Sequence, residues 1–353
     1  MIKDFSLQDL GYDDFFKSAR KRPEFLVGRV VAEHKGAYKI KNENGEYLGR
    51  ITGKQIFKAI SREDYPAVGD WVEISLPDEE HAVIHSVLQR KTIIKRRRGK
   101  DEIQVIGANI DTAFVVQAIG RDYNLNRFER YFSIIKDGGV KPAIILNKAD
   151  LVSREELAEK KSEIMERFGE TDLILTSTVT NDGLAELKSY IERGKTYCFL
   201  GSSGVGKSTL INKLIGVDII KTKEINDYSD RGKHATTSRQ MYFLRNGGIV
   251  IDNPGMREVG MTNTQAGIDE SFGSISGLAK DCRYGDCTHT KEPGCRVLEA
   301  LNSGELDRAE YENYIGLKKE SEHYGMTKLE KREKDKRFGK FIKRTLDELK
   351  KLE

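Results

Sequence analysis

Between residues 24 and 88 the apolar positions come in short alternating runs, FLVGRVVAEHKGAYKIKNENGEYLGRITGK, VGDWVEISL and HAVIHSVL, separated by turn residues. Period-two alternation predicts half-buried strands, and Asn44-Gly45 is a hairpin signal. About five such strands suggest a small closed β-barrel; the OB-fold is the first candidate and an SH3-like barrel the alternative. Trp71 falls within the alternation, which favours a core position over a base-stacking platform. Residues 1–22 read as an N-terminal arm with a short helix over 7–17, docked by Phe5, Phe15 and Phe16.

Beyond residue 106 the pattern switches to apolar runs alternating with helical periods, which predicts parallel strands with helices on both faces. Strands are expected over 112–118, 143–146, 172–176, 196–200 and 247–251, and helices over 126–136, 153–168, 182–192 and 208–215. Ser153 is the expected N-cap of its helix, with Glu156 completing a capping box. From Asp307 onward the chain is helical in pattern and highly charged, with a last helix expected over 346–352. The resulting division is an arm (1–22), a barrel (23–90), a basic linker (91–106), an α/β domain (107–262) and a mostly helical C-terminal domain (263–353).

Chemistry gathers where the expected strands end. Gly201-Ser202-Ser203-Gly204-Val205-Gly206-Lys207-Ser208 fits G-x-x-x-x-G-K-[ST], with a β-like run before it and a helix-like run, beginning Ser208-Thr209, after it. Glycines let successive N–H groups curl around phosphate oxygens, and the helix dipole favours the same anion. Lys207 would reach the β- and γ-phosphates and the Ser208 hydroxyl would bind Mg²⁺. Asn147-Lys148-Ala149-Asp150 follows the run PAIIL, where open α/β sheets place ligand loops. It fits NKxD, whose carboxylate accepts both N–H groups of guanine's Watson–Crick edge. That favours GTP over ATP. Thr176 and Ser177, at the next strand end, would supply a backbone contact to the guanine oxygen. Asp252-Asn253-Pro254-Gly255 fits DxxG, in which the carboxylate holds a Mg²⁺ water and the glycine N–H meets the γ-phosphate. Between these lies a polar segment, residues 230–239, placed as a first switch. Thr236 or Thr237 would bind Mg²⁺ there, Thr236 being preferred. NKxD precedes the P-loop by 54 residues, the reverse of the ordinary order, which implies a circular permutation.

Composition adds three points. The four cysteines are Cys198, Cys282, Cys287 and Cys295, and the set Cys282-x4-Cys287-x-His289-x5-Cys295 suits one structural Zn²⁺ with four protein ligands. Net charge is only +4, but residues 91–100 (KTIIKRRRGK) hold six basic residues and no acid, and residues 318–353 hold 13 Lys/Arg against 8 Asp/Glu. Such runs suit a polyanion such as RNA, although many are merely solvated faces. No run approaches ~20 apolar residues, and MIKDFSLQDLGYDD lacks a basic-then-apolar leader, so a cytoplasmic protein without membrane association is expected.

The permuted order together with GSSGVGKSTL, RGKHATTS, DNPGMRE, CRYGDCTHTKEPGC and IGANIDTAFVV resembles the RsgA family of small-ribosomal-subunit biogenesis GTPases, over about residues 25–320. The resemblance implies an OB-fold, a permuted GTPase domain using GTP/GDP and Mg²⁺, and a zinc domain. It also implies a factor, expected to be monomeric, that binds the small ribosomal subunit and its 16S-type rRNA late in assembly. Hydrolysis would be stimulated by the subunit and followed by release. Met256 stands where Ras-like enzymes carry the water-orienting glutamine. His234 is the best internal candidate to orient or deprotonate that water; contact with rRNA or packing of the switch are the competing roles. Ala235 stands where the family usually has threonine, and Gly204 where potassium-recruiting relatives carry asparagine, so no potassium site is expected. Two other functions fit fewer of these residues: an RNA-binding assembly protein with a structural nucleotide, and an ATP-dependent P-loop kinase or ATPase.

Overall fold

A computed structural model describes residues 6–34, 36–98, 102–120, 123–169, 171–218, 220, 239–253, 260–262, 264–326, 330, 332–333 and 336. The chain forms two compact units, Met1–Gly260 and Met261–Glu353. No helix among the described residues is long and apolar enough to cross a membrane.

In the first unit the arm is a turn followed by helix α1 (Asp14–Ala19), shorter and later than the 7–17 helix expected from sequence. Gly11 sits at φ +84, where a Cβ would meet Arg29 Nη1 at 2.7 Å and Gly194 O at 2.9 Å, so the chain turns there. Asp13, in extended conformation, then caps α1 by accepting from Phe15 N. The barrel strands are β1 (Leu26–His34), β2 (Ala37–Asn42), β3 (Gly45–Ile51), β4 (Trp71–Ser75) and β5 (His81–Val87), with helix α2 (Gly53–Lys58) between β3 and β4. β1 pairs with β2, β2 with β3, β3 in parallel with β5, β5 with β4, and β4 back with β1. That circuit is the five-stranded Greek-key barrel of the OB-fold. Ile40 fills its centre, and side chains at Gly28 or Gly49 would strike it at 2.4 and 2.3 Å. Trp71 is fully buried and packs with Leu10, Tyr12 and Phe16 of the arm.

The basic segment expected as a linker is instead an antiparallel hairpin, β6 (Ile93–Arg98) and β7 (Glu102–Ala108). Its buried Ile94, Val105 and Ile106 give it an apolar side that the charge count concealed. The α/β part follows as β8 (Thr112–Ala118), α3 (Leu125–Asp137), β9 (Lys141–Asn147), α4 (Arg154–Phe168), β10 (Leu173–Thr176), α5 (Leu184–Tyr190), β11 (Thr196–Leu200), α6 (Lys207–Ile215), β12 (Gln240–Phe243) and β13 (Ile249–Asp252). Ser153 caps α4, its Oγ accepting from Glu156 N at 3.2 Å. The strand order is β10-β9-β8-β11-β13-β12, with the first five parallel and β12 antiparallel at the end. Ala32 of β1 pairs with Gln240 of β12, so the barrel continues this sheet. The strand expected from residue 247 begins at Ile249, because Gly247 turns at φ +86.

The second unit contains α7 (Gln265–Ser271), α8 (Gly273–Ala279), α9 (Arg296–Ser303) and α10 (Arg308–Gly325). Phe272 and Tyr314 meet edge to face at 5.3 Å among Ile268, Ile275, Val297 and Leu317, all buried. The helix expected over 346–352 lies outside the described residues.

Arg29 joins the parts of the first unit. Its guanidinium, 1% exposed, donates to Leu10 O of the arm, to Gly69 O at 3.3 Å, to Asn109 O at 3.2 Å and to Thr196 Oγ1 at 2.8 Å. Burial lowers its pKa to about 10. Arg29→Ala leaves four acceptors without that donor, each worth ~1–3 kcal/mol when unmet, offset in part by relief of the guanidinium's desolvation. A net loss of about 3 kcal/mol in urea denaturation is expected; an unchanged midpoint would contradict this role.

Candidate functional site

The phosphate loop grows from a strand buried along its whole length. Beyond Leu200 the backbone needs glycine: Gly201 has φ +146, and a Cβ there would lie 2.2 Å from Val116 O. Gly206, at φ +98, ends the loop and caps α6. Lys207, 5% exposed, donates from Nζ to Gly201 O at 2.8 Å and Ser202 O at 2.6 Å, closing the loop on itself. Burial lowers its pKa to about 8, against the pull of Asp252. Val205 is buried, Ser202, Ser208 and Thr209 are half-buried, and Ser203 and Gly204 are exposed.

The end of β9 meets this loop directly. Asn147 is fully buried; its Nδ2 donates to Val205 O at 2.8 Å and its Oδ1 accepts from Thr176 Oγ1 at 3.0 Å. A Cβ on Gly206 would stand 2.3 Å from that amide nitrogen, so the third P-loop glycine makes room for Asn147. Lys148 turns in the left-handed region (φ 62°, ψ 40°), which sends the chain from Asn147 toward Asp150. The exposed Asp150 accepts from Ser177 Oγ at 2.5 Å, and Ser177 Oγ in turn accepts from Val179 N at 3.2 Å and Thr180 N at 3.1 Å. Asn147 and Thr176 therefore form one hydrogen-bonded group with the P-loop, and Asp150 and Ser177 form a second at the ends of the same two strands.

At the end of β13 stands Asp252, 3% exposed, with Oδ1 lacking a hydrogen-bond partner among the described residues. Burial raises its pKa while Lys207 lowers it. An orphaned, buried acceptor beside a P-loop lysine fits the water shell of a divalent cation. Asn253 donates to Cys198 Sγ at 3.0 Å, and its Oδ1 is likewise unpartnered. Two contacts were not legible in the motifs: this Asn253–Cys198 bond, and Arg127 of α3 donating to Ser202 Oγ at 3.2 Å. Nothing in a helical run distinguishes Arg127 as a P-loop neighbour. His234, Thr236 and Gly255, together with Thr237 and Met256, lie outside the described residues.

In the second unit Cys282, Cys287, His289 and Cys295 bring their ligand atoms within 4.8 Å of one another. Cys282 Sγ lies 3.8 Å from Cys295 Sγ and 3.6 Å from His289 Nδ1, and Cys295 Sγ lies 3.5 Å from the same nitrogen. Tetrahedral zinc, with Zn–S of about 2.3 Å and Zn–N of about 2.0–2.1 Å, sets S···S near ~3.8 Å and S···N near ~3.5 Å. A disulfide would require about 2.05 Å, and all four cysteines of the chain are free. His289 is buried at φ +60, its carbonyl accepting from Tyr311 OH at 2.7 Å, and Arg283 N closes the knuckle onto Gly294 O at 3.1 Å.

Comparison with known proteins agrees with this geometry. Residues 87–262 match the RsgA GTPase family. The small ribosomal subunit biogenesis GTPase RsgA 1 of Listeria innocua is 41% identical over 318 residues, covering 90% of each chain. RsgA 2 of Vibrio parahaemolyticus is 34% identical over 355 residues, covering 98% of this chain and 94% of its own. YjeQ from Thermotoga maritima superposes with a TM-score of 0.62 at 27% identity, over 85% of this chain and 99% of that one. YloQ, a circularly permuted GTPase, shares the fold with a TM-score of 0.61 at 20% identity, over 87% and 99%. An NKAD loop that precedes its P-loop in sequence yet bonds to it in space, carried on a chain that matches the Listeria innocua relative across 90% of its length, makes this protein a member of the RsgA GTPase family.

Proposed function

We propose that this protein is a GTP hydrolase that acts as a late assembly factor of the small ribosomal subunit. It binds the subunit in its GTP state and leaves after hydrolysis that the subunit stimulates. The observation carrying this reading is the Asn147–Val205 bond, which joins a guanine-reading loop to a phosphate loop. The names of the relatives supply the subunit as partner. Asp150 reads guanine, which disfavours the ATP-dependent alternative, and Thr176 and Ser177 border the base. Residues 201–209 cradle the phosphates, with Lys207 pairing their charge. Ser208 and Thr236 hold Mg²⁺ and Asp252 reaches its water; when bound, the ion neutralises charge that develops on the phosphates. Gly255 donates to the γ-phosphate, and His234 orients the attacking water. Cys282, Cys287, His289 and Cys295 hold a structural Zn²⁺ that ties the knuckle to the helices of its unit. The functional parts are the arm (1–22), the barrel (23–90), the basic segment (91–106), the GTPase domain (107–262) and the zinc domain (263–353). The protein works as a monomer in the cytoplasm and grips 16S-type rRNA.

Purified small subunits should raise the rate of GTP hydrolysis severalfold or more, and His234→Ala should lose about a hundredfold of the stimulated rate. A wild-type stimulated rate in that variant removes His234 from catalysis. Because Lys207 is held near pKa 8 without ligand and phosphate oxygens prefer its charged form, nucleotide binding takes up a proton above that pH. GDP should therefore bind about tenfold more weakly at pH 9 than at pH 7, and Lys207→Arg should flatten the profile. An equal slope in both proteins would assign it elsewhere. Atomic emission should find one zinc per chain. Cys295→Ser should lower that content and the melting temperature together, and full zinc in the variant would exclude the proposed ligand set.

A further inference from the structure

Five of the six aromatic side chains in residues 24–88 are buried or half-buried. Trp71 is fully buried, and Tyr38 and Tyr47 are 6% and 7% exposed. Across residues 24–88 the one aromatic side chain among the described residues that is fully open is Phe57, 91% exposed, on α2. Ile56 and Ile60 beside it are 53% and 97% exposed, and α2 buries no residue of its own. A helix with no buried face contributes nothing to the core; the side chains it holds out are available to a partner.

The charge beside this ring is mostly positive; Glu63 and Asp64 follow the segment, and Asp64 Oδ2 accepts from Ile60 N and Ser61 N at 2.8 Å. From Arg50 to Arg62 the chain carries Arg50, Lys54, Lys58 and Arg62 and no acid. All four are exposed, and Arg50, Lys54 and Lys58 have no ion-pair partner among the described residues. Thr52 Oγ1 accepts from Gln55 N at 3.3 Å to cap α2, and five residues beyond the helix Glu63 binds Lys95 of the basic hairpin at 3.1 Å, so the segment that carries α2 ends beside a second basic element.

We propose that α2 is a docking platform for unpaired RNA, on which a splayed-out base stacks on Phe57 while Lys54, Lys58 and Arg50 contact the flanking phosphates. This rests on the reading that the protein grips rRNA and names the chemistry of one contact. Charge complementarity selects the occupant, because an apolar protein surface would leave three unpaired cations facing it, whereas a single strand offers a ring face and phosphates at nucleotide spacing. Duplex RNA lacks the free base face and would use only the cations.

The test uses the full-length protein, saturated with GDP and Mg²⁺, and a fluorescein-labelled 12-nucleotide oligoribonucleotide, as a single strand and annealed to its complement. Phe57→Ala should weaken the single strand about tenfold and the duplex less than twofold. A Lys54→Ser/Lys58→Ser double variant should weaken both and lower the salt slope for the single strand by about 1.4. Both variants should melt at the wild-type temperature, since neither site is buried. Equal effects of Phe57→Ala on single strand and duplex, or none on either, overturn the proposal. Loss of binding to purified small subunits by Phe57→Ala with oligonucleotide affinity unchanged would assign the platform to a protein and overturn it as well. Oligonucleotide affinity is read without hydrolysis, so a failure of subunit-stimulated GTP hydrolysis would count against the assembly-factor reading alone.

Discussion

The nucleotide site depends on one buried carboxamide. Circular permutation places the NKAD loop 54 residues before the P-loop, the reverse of the ordinary order, and the strands that carry them, β9 and β11, are separated in the sheet by β8. Asn147 bonds the two loops directly. With no exposure to water it must satisfy both ends of its amide within the protein, and it does so by donating to Val205 O in the P-loop and accepting from Thr176 Oγ1. Loss of either bond would strand a buried polar atom at a cost of ~1–3 kcal/mol, which holds three strand ends in register. Gly206 belongs to the same constraint, because any side chain there would displace the amide.

Arg29 plays the corresponding part at the opposite edge of the sheet. Its donors reach the arm, the barrel and the approach to β8 and β11, and none of its partners is a carboxylate. A guanidinium buried among neutral acceptors has lost most of its hydration, so its position is worth keeping only while every partner stays in place. The barrel and the GTPase sheet are consequently one continuous body, closed by the Ala32–Gln240 pair. Lys207 resolves a similar problem differently: its Nζ holds two loop carbonyls, and burial has already moved its pKa toward neutrality.

What could be read from the sequence was what spacing encodes. The P-loop, NKAD, DNPG and the cysteine–histidine knuckle are spelled by their chemistry, and the central strands, buried on both faces, appear as apolar runs. The hairpin β6–β7 was hidden because its basic residues dominate the count, while its buried side is Ile94 together with residues 105–108. β12 was hidden for a related reason: at the end of the parallel sheet, Met241 is its one buried residue at 3% exposure. The arm helix was misplaced because the demand for glycine at position 11 comes from Arg29 and Gly194, residues distant in sequence. In the site, sequence named Asn147 and Val205 separately; that one donates to the other is a tertiary fact.

The same permutation sets where the second unit joins the chain. In the ordinary order the segment after DxxG leads back into further strands of the sheet, and its motion is absorbed there. Here β13 ends at Asp252 and the second compact unit begins at Met261, nine residues later. Asp252 and Asn253, at the root of that connection, each hold a buried oxygen without a hydrogen-bond partner among the described residues. A ligand that completes their hydrogen bonding stabilises one arrangement of the root over others, by the differential interaction that population shift requires.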